Sequence, residues 1–170
     1  MPLLNNPRGS KLLVLVFILL FTLGLATKCS ASEAYTQMAY GRTMIRGETS
    51  VLDFQRTIPL QSRAAVREDA EWRIGMTLIG SSMYGSTPEP GNFRVKLQYV
   101  EGLGQFHMGL GVSVGQNVDD FNGSILNFTL TAEWRFKRWP VTLALSHDSN
   151  AGTRMPNVGR DYLLLGWRFQ

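Results

Sequence analysis

The feature that most restricts what this chain can fold into is a two-residue alternation that recurs along its length. In residues 124–136, SILNFTLTAEWRF, one set of positions holds Leu126, Phe128, Leu130, Ala132, Trp134 and Phe136, and the other holds Asn127, Thr129, Thr131, Glu133 and Arg135. Successive side chains of an extended strand point to opposite faces, so the pattern describes a strand with one apolar and one polar face. The same split sets Phe93, Val95, Leu97 and Tyr99 against Arg94, Lys96 and Gln98. It also sets Phe106, Met108, Leu110, Val112 and Val114 against His107, Gly109, Gly111 and Ser113. About eight such strands are expected, at 34–45, 49–58, 70–80, 92–101, 104–115, 123–136, 140–149 and 160–169. Turn-rich pieces such as YGSTPEPGN and NVDDFNG separate them, as do the links EGLG and KRWP. Residues 61–69, QSRAAVRED, leave room for a helical turn. An even number of strands about ten residues long suits a closed antiparallel barrel.

Two eight-stranded barrels share this alternation: a soluble carrier with an apolar inside, and a membrane barrel with an apolar outside. Side-chain size separates them, because the interior of so small a barrel is narrow and filled by side chains. The bulky Phe, Trp, Leu, Met and Tyr residues lie on the apolar face. The other face mixes Gly109, Gly111 and Ser113 with Arg94, Lys96, Glu133 and Arg135. A packed polar lumen inside a hydrophobic belt follows, and the expected fold is an all-β, eight-stranded antiparallel transmembrane β-barrel. Trp134, Phe136, Trp139, Trp167 and Phe169 fall near strand ends, where interfacial aromatic girdles lie.

The start of the chain agrees with export. Arg8 and Lys11 precede the apolar run LLVLVFILLFTLGLA, and small residues end at Ala31. This reads as a signal peptide over 1–31, leaving a barrel domain over 32–170. A rival reading, a lipoprotein anchored through Cys29, meets a poor neighbour in Lys28. The signal carries Arg8, Lys11 and Lys28 and no acidic residue, so removing it lowers the formal charge from +4 to +1. The mature chain has no basic stripe, which argues against a nucleic-acid partner. Its lone cysteine, Cys29, leaves with the signal, so neither a disulfide nor a thiol nucleophile is expected. With no apolar helix of about 20 residues in the mature chain, a barrel in a bacterial outer membrane is the economical reading.

One stretch breaks the pattern. Along LALSHDSNAG the apolar row of Val141, Leu143 and Leu145 runs into His147 and Ser149, while Thr142, Ala144, Ser146 and Asp148 take the other face. On the last strand Asp161 shares the apolar row with Leu163, Leu165, Trp167 and Phe169. A His, a Ser and an Asp therefore project toward lipid. Residues two apart on a strand lie about 6.7 Å apart, and directly opposed residues on antiparallel neighbours have Cβ atoms roughly 5 Å apart. If the register sets His147 across from Asp161, the carboxylate meets one imidazole nitrogen and Ser149 the other. That is the arrangement an acyl-transfer triad needs: nucleophile, base and orienting acid. The bland alternative is a few polar residues where a strand leaves the membrane. His107, by parity, is a lumen residue bonded to polar neighbours.

The residues HDSNAG, then Pro156, Asn157 and Gly159, then an acid fourteen positions after the His, resemble the outer-membrane lipid A 3-O-deacylases, the PagL family. The resemblance covers about 20 residues. It implies an eight-stranded barrel that removes an ester-linked acyl chain from lipopolysaccharide, with Ser149 as nucleophile, His147 as general base and Asp161 orienting His147. It further implies that Asn150 and the backbone N–H of Gly152 stabilise the oxyanion. The family's acid is usually Glu, and Asp161 is one methylene shorter. Lipid A and outer-membrane lipids are the implied partners, a homodimer is left open, and no metal or cofactor is expected. With both termini in the periplasm, the site would face the outer leaflet. Two alternatives stand beside this reading: a non-enzymatic structural or adhesion barrel, and the soluble lipid carrier.

Overall fold

The computed structural model describes residues 34–44, 48–60, 70–84, 86–118 and 121–169. The expected signal peptide and the possible helical turn at 61–69 lie outside these residues. The strands are β1 (Thr36–Thr43), β2 (Ser50–Pro59), β3 (Glu71–Ile79), β4 (Ser82–Tyr84), β5 (Thr87–Glu89), β6 (Asn92–Leu103), β7 (Phe106–Gly115), β8 (Leu126–Arg135), β9 (Val141–Ser149) and β10 (Arg160–Phe169). Eight of them form a closed antiparallel barrel in the order β1-β10-β9-β8-β7-β6-β3-β2. Closure is made by β1 on β10, from Thr36 opposite Phe169 to Thr43 opposite Tyr162. Each of these eight strands thus has two partners, and the closed barrel has no free edge strand.

The eight expected strands are the eight barrel strands. The structure adds β4 and β5, a small hairpin pairing Ser82–Tyr84 with Thr87–Glu89, in a piece that reads from sequence as turn alone. Strand β8 begins at Leu126 rather than at Gly123, because Gly123 has a left-handed backbone, φ +57°, that a strand does not accommodate.

Parity falls as the alternation requires. Leu110, Leu130, Leu145 and Leu165 lie exposed on the outer surface, while Asn127, Thr129, Thr131 and Glu133 of the same sheet are buried inside. The outer row is the face that suits hydrocarbon. Of the five aromatics expected at strand ends, Trp134, Trp139, Trp167 and Phe169 are exposed. Phe136 and Trp139 stack at 6.4 Å between ring centroids. All five belong to the end of the barrel where β1 starts and β10 finishes, so they make one girdle.

Polar groups fill the lumen and hold it closed. Near the terminal end Arg73 forks onto Glu133, with Nη1 donating to Oε2 at 3.0 Å and Nη2 to Oε1 at 2.8 Å. Arg73 Nε also donates to Glu71 at 2.7 Å, Arg135 binds both Glu133 and Glu71, and Gln37 donates to Glu133 at 3.1 Å. His107 is buried at this level, its Nδ1 3.3 Å from the Gln105 carbonyl. Midway, Asp53 takes Lys96 at 2.6 Å and the Thr77 hydroxyl at 2.6 Å. At the far end Asp148 accepts from Arg94 at 2.9 Å and from the Tyr162 hydroxyl at 3.2 Å. A buried charge persists only when paired and hydrogen-bonded, and each of these carboxylates answers a cation from another strand. The apolar outer face and the inner face with paired charge are two results of one sequence period.

Candidate active site

The end opposite the chain termini carries the loops β1–β2, β3–β6, β7–β8 and β9–β10, whereas the terminal end has the tight Gly104-Gln105 turn between β6 and β7. The site lies at the loop-bearing end, where β9 leaves the barrel and β10 enters it.

The β9–β10 register pairs Leu143 with Leu165, Leu145 with Leu163, and His147 with Asp161. His147 Nδ1–H donates to Asp161 Oδ1 at 2.8 Å. Their side chains are 43% and 38% exposed on the outer surface, at the head of the leucine rows. The shorter Asp reaches the ring because the two residues are direct cross-strand partners, with Cβ atoms only about 5 Å apart. That contact leaves Nε2 as the ring nitrogen available to a nucleophile. On the other flank of β9, Leu130 of β8 faces His147 and Phe128 faces Ser149, both exposed. Leu130, Leu145 and Leu163 thus make an exposed apolar patch just below the polar groups.

Ser149 is the last residue of β9, half-exposed and on the same outward row as His147. No hydrogen bond joins its hydroxyl to His147 among the described residues. Asp148, the neighbouring acid, points inward to Arg94 and has no part in this surface cluster.

The loop after Ser149 is organised around Asn150, which is fully buried. Its backbone N–H donates to Asn157 Oδ1 at 3.0 Å. Its side-chain amide donates to the carbonyls of Asn122, Arg154 and Pro156, and its Oδ1 accepts the Gly152 N–H at 2.9 Å. Asn150 and the backbone N–H of Gly152, the groups expected to stabilise an oxyanion, are here bonded within the loop, the Asn150 amide to carbonyls and the Gly152 N–H to Asn150 Oδ1. Ala151, between them, adopts φ +53°, a left-handed backbone that costs a non-glycine residue about 1–2 kcal/mol. The hydrogen bonds of Asn150 on either side hold it there.

Two features of the site have no sequence period behind them. Gly159, with φ +75°, lies so close to His147 that a Cβ there would come within 2.5 Å of Cε1 and 3.1 Å of Nε2. Phe121–Gly123, far away in sequence, touches the loop from the β7–β8 side. The Asn-Gly dipeptide at 122–123 signals a turn, but nothing in the sequence says what the turn packs on.

No family model matches the chain, and no curated protein matches it. Among solved structures it matches the crystal structure of the outer membrane enzyme PagL, with TM-score 0.53 and 22% sequence identity over 80% of this chain and 99% of that one. The two share a fold. The likeness spans nearly the whole of that chain, and what it shows is the all-β, eight-stranded barrel expected from the sequence.

Proposed function

We propose that this protein is an outer-membrane esterase that removes the 3-O-linked acyl chain from lipid A, with Ser149 as nucleophile, His147 as general base and Asp161 as the acid that orients and charges against His147. The observation that carries the reading is the 2.8 Å bond from His147 Nδ1 to Asp161 Oδ1 on the lipid-facing surface. A buried lumen pair is explained by packing; a His–Asp pair placed in the row that faces hydrocarbon is not. The fold shared with PagL, described as an outer membrane enzyme, adds to it.

The chemistry follows from the assigned roles. His147 Nε2 takes the Ser149 proton as Oγ forms a bond to the ester carbonyl carbon. Collapse of the tetrahedral adduct breaks the bond to the sugar oxygen, which leaves with the proton from Nε2. Water then gives a proton to Nε2 and adds to the acyl-enzyme. The bond to Ser149 Oγ breaks, Oγ recovers its proton, and the fatty acid departs. Asp161 stabilises the imidazolium that exists between these steps. Donors aimed at the oxyanion contribute about 3–4 kcal/mol each in such reactions. For Gly152 to be one, its N–H must leave Asn150 Oδ1 when substrate arrives.

The loop-bearing end lies opposite the termini, so with the termini in the periplasm the triad faces the outer leaflet, where lipopolysaccharide resides. Mass spectrometry of lipid A from cells producing the wild type and Ser149→Ala tests the proposal. Loss of one 3-O-acyl chain is expected with the wild type alone. Equal loss with both proteins, or none with either, returns the molecule to the class of non-enzymatic barrels.

A further inference from the structure

We infer that Phe121–Gly123, in the loop between β7 and β8, is a brace that positions the His147 imidazole, acting through the β9–β10 loop and Gly159. The inference rests on the reading of His147 as the base.

Three consecutive residues make the contact. The Phe121 carbonyl accepts the N–H groups of Val158 and Gly159, at 2.7 and 3.3 Å. The Asn122 carbonyl accepts from the Asn150 side-chain amide. Gly123 lies directly under the middle of the loop, where a Cβ would come within 2.8 Å of the Met155 carbonyl oxygen and 2.9 Å of that of Pro156. The Phe121 ring, fully buried, also stacks under the Arg160 guanidinium at 3.9 Å from its centroid. The brace therefore holds Asn150, which follows Ser149, and Arg160, which precedes Asp161. It grips the chain immediately beside two of the three assigned groups.

The third is reached through Gly159. Asp161 fixes the imidazole at Nδ1, and the Gly159 α-carbon supports the Cε1–Nε2 edge, leaving no room for a side chain. Since the Gly159 N–H is held on the Phe121 carbonyl, the β7–β8 loop sets how far that support stands from the ring. Phe121–Gly123 are positioning residues: the contacts described above are with Asn150, Met155, Pro156, Val158, Gly159 and Arg160, and act on the assigned groups through them.

The chain has two histidines, so the ring signals of His147 and His107 can be followed separately by NMR of histidine-labelled protein folded in detergent micelles. Gly123→Ala and Gly159→Ala should each move the His147 Cε1–H resonance and leave that of His107 in place. Fatty acid release from purified lipopolysaccharide should fall in kcat by about 10²-fold, the scale of a 1 Å misplacement, with KM little changed. Gly123→Asn separates contact from backbone strain, because Asn tolerates positive φ and still carries the Cβ; it should act like Gly123→Ala. Gly104→Ala, with φ +66° in the β6–β7 turn at the other end, is the control and should leave the His147 signal unmoved. Folded Gly123→Ala and Gly123→Asn barrels with a wild-type His147 resonance would overturn the brace. If that resonance moves but the wild type releases no fatty acid, the brace stands and the esterase reading fails.

Discussion

Replacing Asp161 by Asn removes a charge and keeps the shape, so its cost can be worked from the site. The Asn carbonyl oxygen can still accept the Nδ1–H bond now made at 2.8 Å, which keeps the tautomer that leaves Nε2 free for Ser149. What disappears is the attraction between the carboxylate and the imidazolium formed in the transition state. Two unit charges about 4 Å apart attract by about 1 kcal/mol in water and about 4 kcal/mol at an effective dielectric of 20. With side chains 43% and 38% exposed, the pair stands between those limits. A loss of about 2 kcal/mol corresponds to roughly a 30-fold fall in kcat. Asp161→Glu retains the charge and should be the milder variant. The assay is steady-state release of fatty acid from lipopolysaccharide in detergent micelles, with heat-modifiable migration on gels checking that each barrel is folded. A folded Asp161→Asn protein with wild-type kcat would refute the assignment of Asp161.

Three further perturbations address the barrel itself. Glu133→Ala leaves Arg73 buried without the carboxylate it forks onto, which should destabilise by about 3–5 kcal/mol, measured by urea unfolding in micelles. Should the unfolding midpoint stay at its wild-type value, the lumen network contributes little. Leu110→Arg puts a charge in the middle of the outer face of β7 and should weaken folding into lipid vesicles by about 2–4 kcal/mol; an unaffected variant would mean that this face does not meet hydrocarbon. Asp148→Asn, inside the lumen against Arg94, should lower stability while leaving kcat within a few-fold of wild type. A collapse of activity in a folded Asp148→Asn protein would shift the acid's role toward the lumen.

Much of the site could be read from the chain because a strand has only two faces. Once Leu143, Leu145, His147 and Ser149 are seen to share parity, and Asp161 to share it with Leu163 and Leu165, all three polar groups must project on one side of the sheet. Their pairing needed more than parity. A one-residue slip of β10 on β9 would send Asp161 into the lumen, and a two-residue slip would keep it outside but carry it away from the ring. The loop was the least legible part. Asn150 carries the same formula whether it donates to an oxyanion or to three carbonyls, and only the folded loop shows it bonded to Asn122, Arg154 and Pro156.

By itself the sequence determined the strand period, the number of barrel strands and the side of the sheet on which each residue stands, because these depend on chirality and local geometry that repeat every two residues. Tertiary structure alone decided that His147 meets Asp161 at bonding distance, that the lumen charges find partners across the barrel, and that Phe121–Gly123 supports the loop beside Ser149. Those contacts join residues brought together by closure of the cylinder, and closure is a property of all eight strands at once.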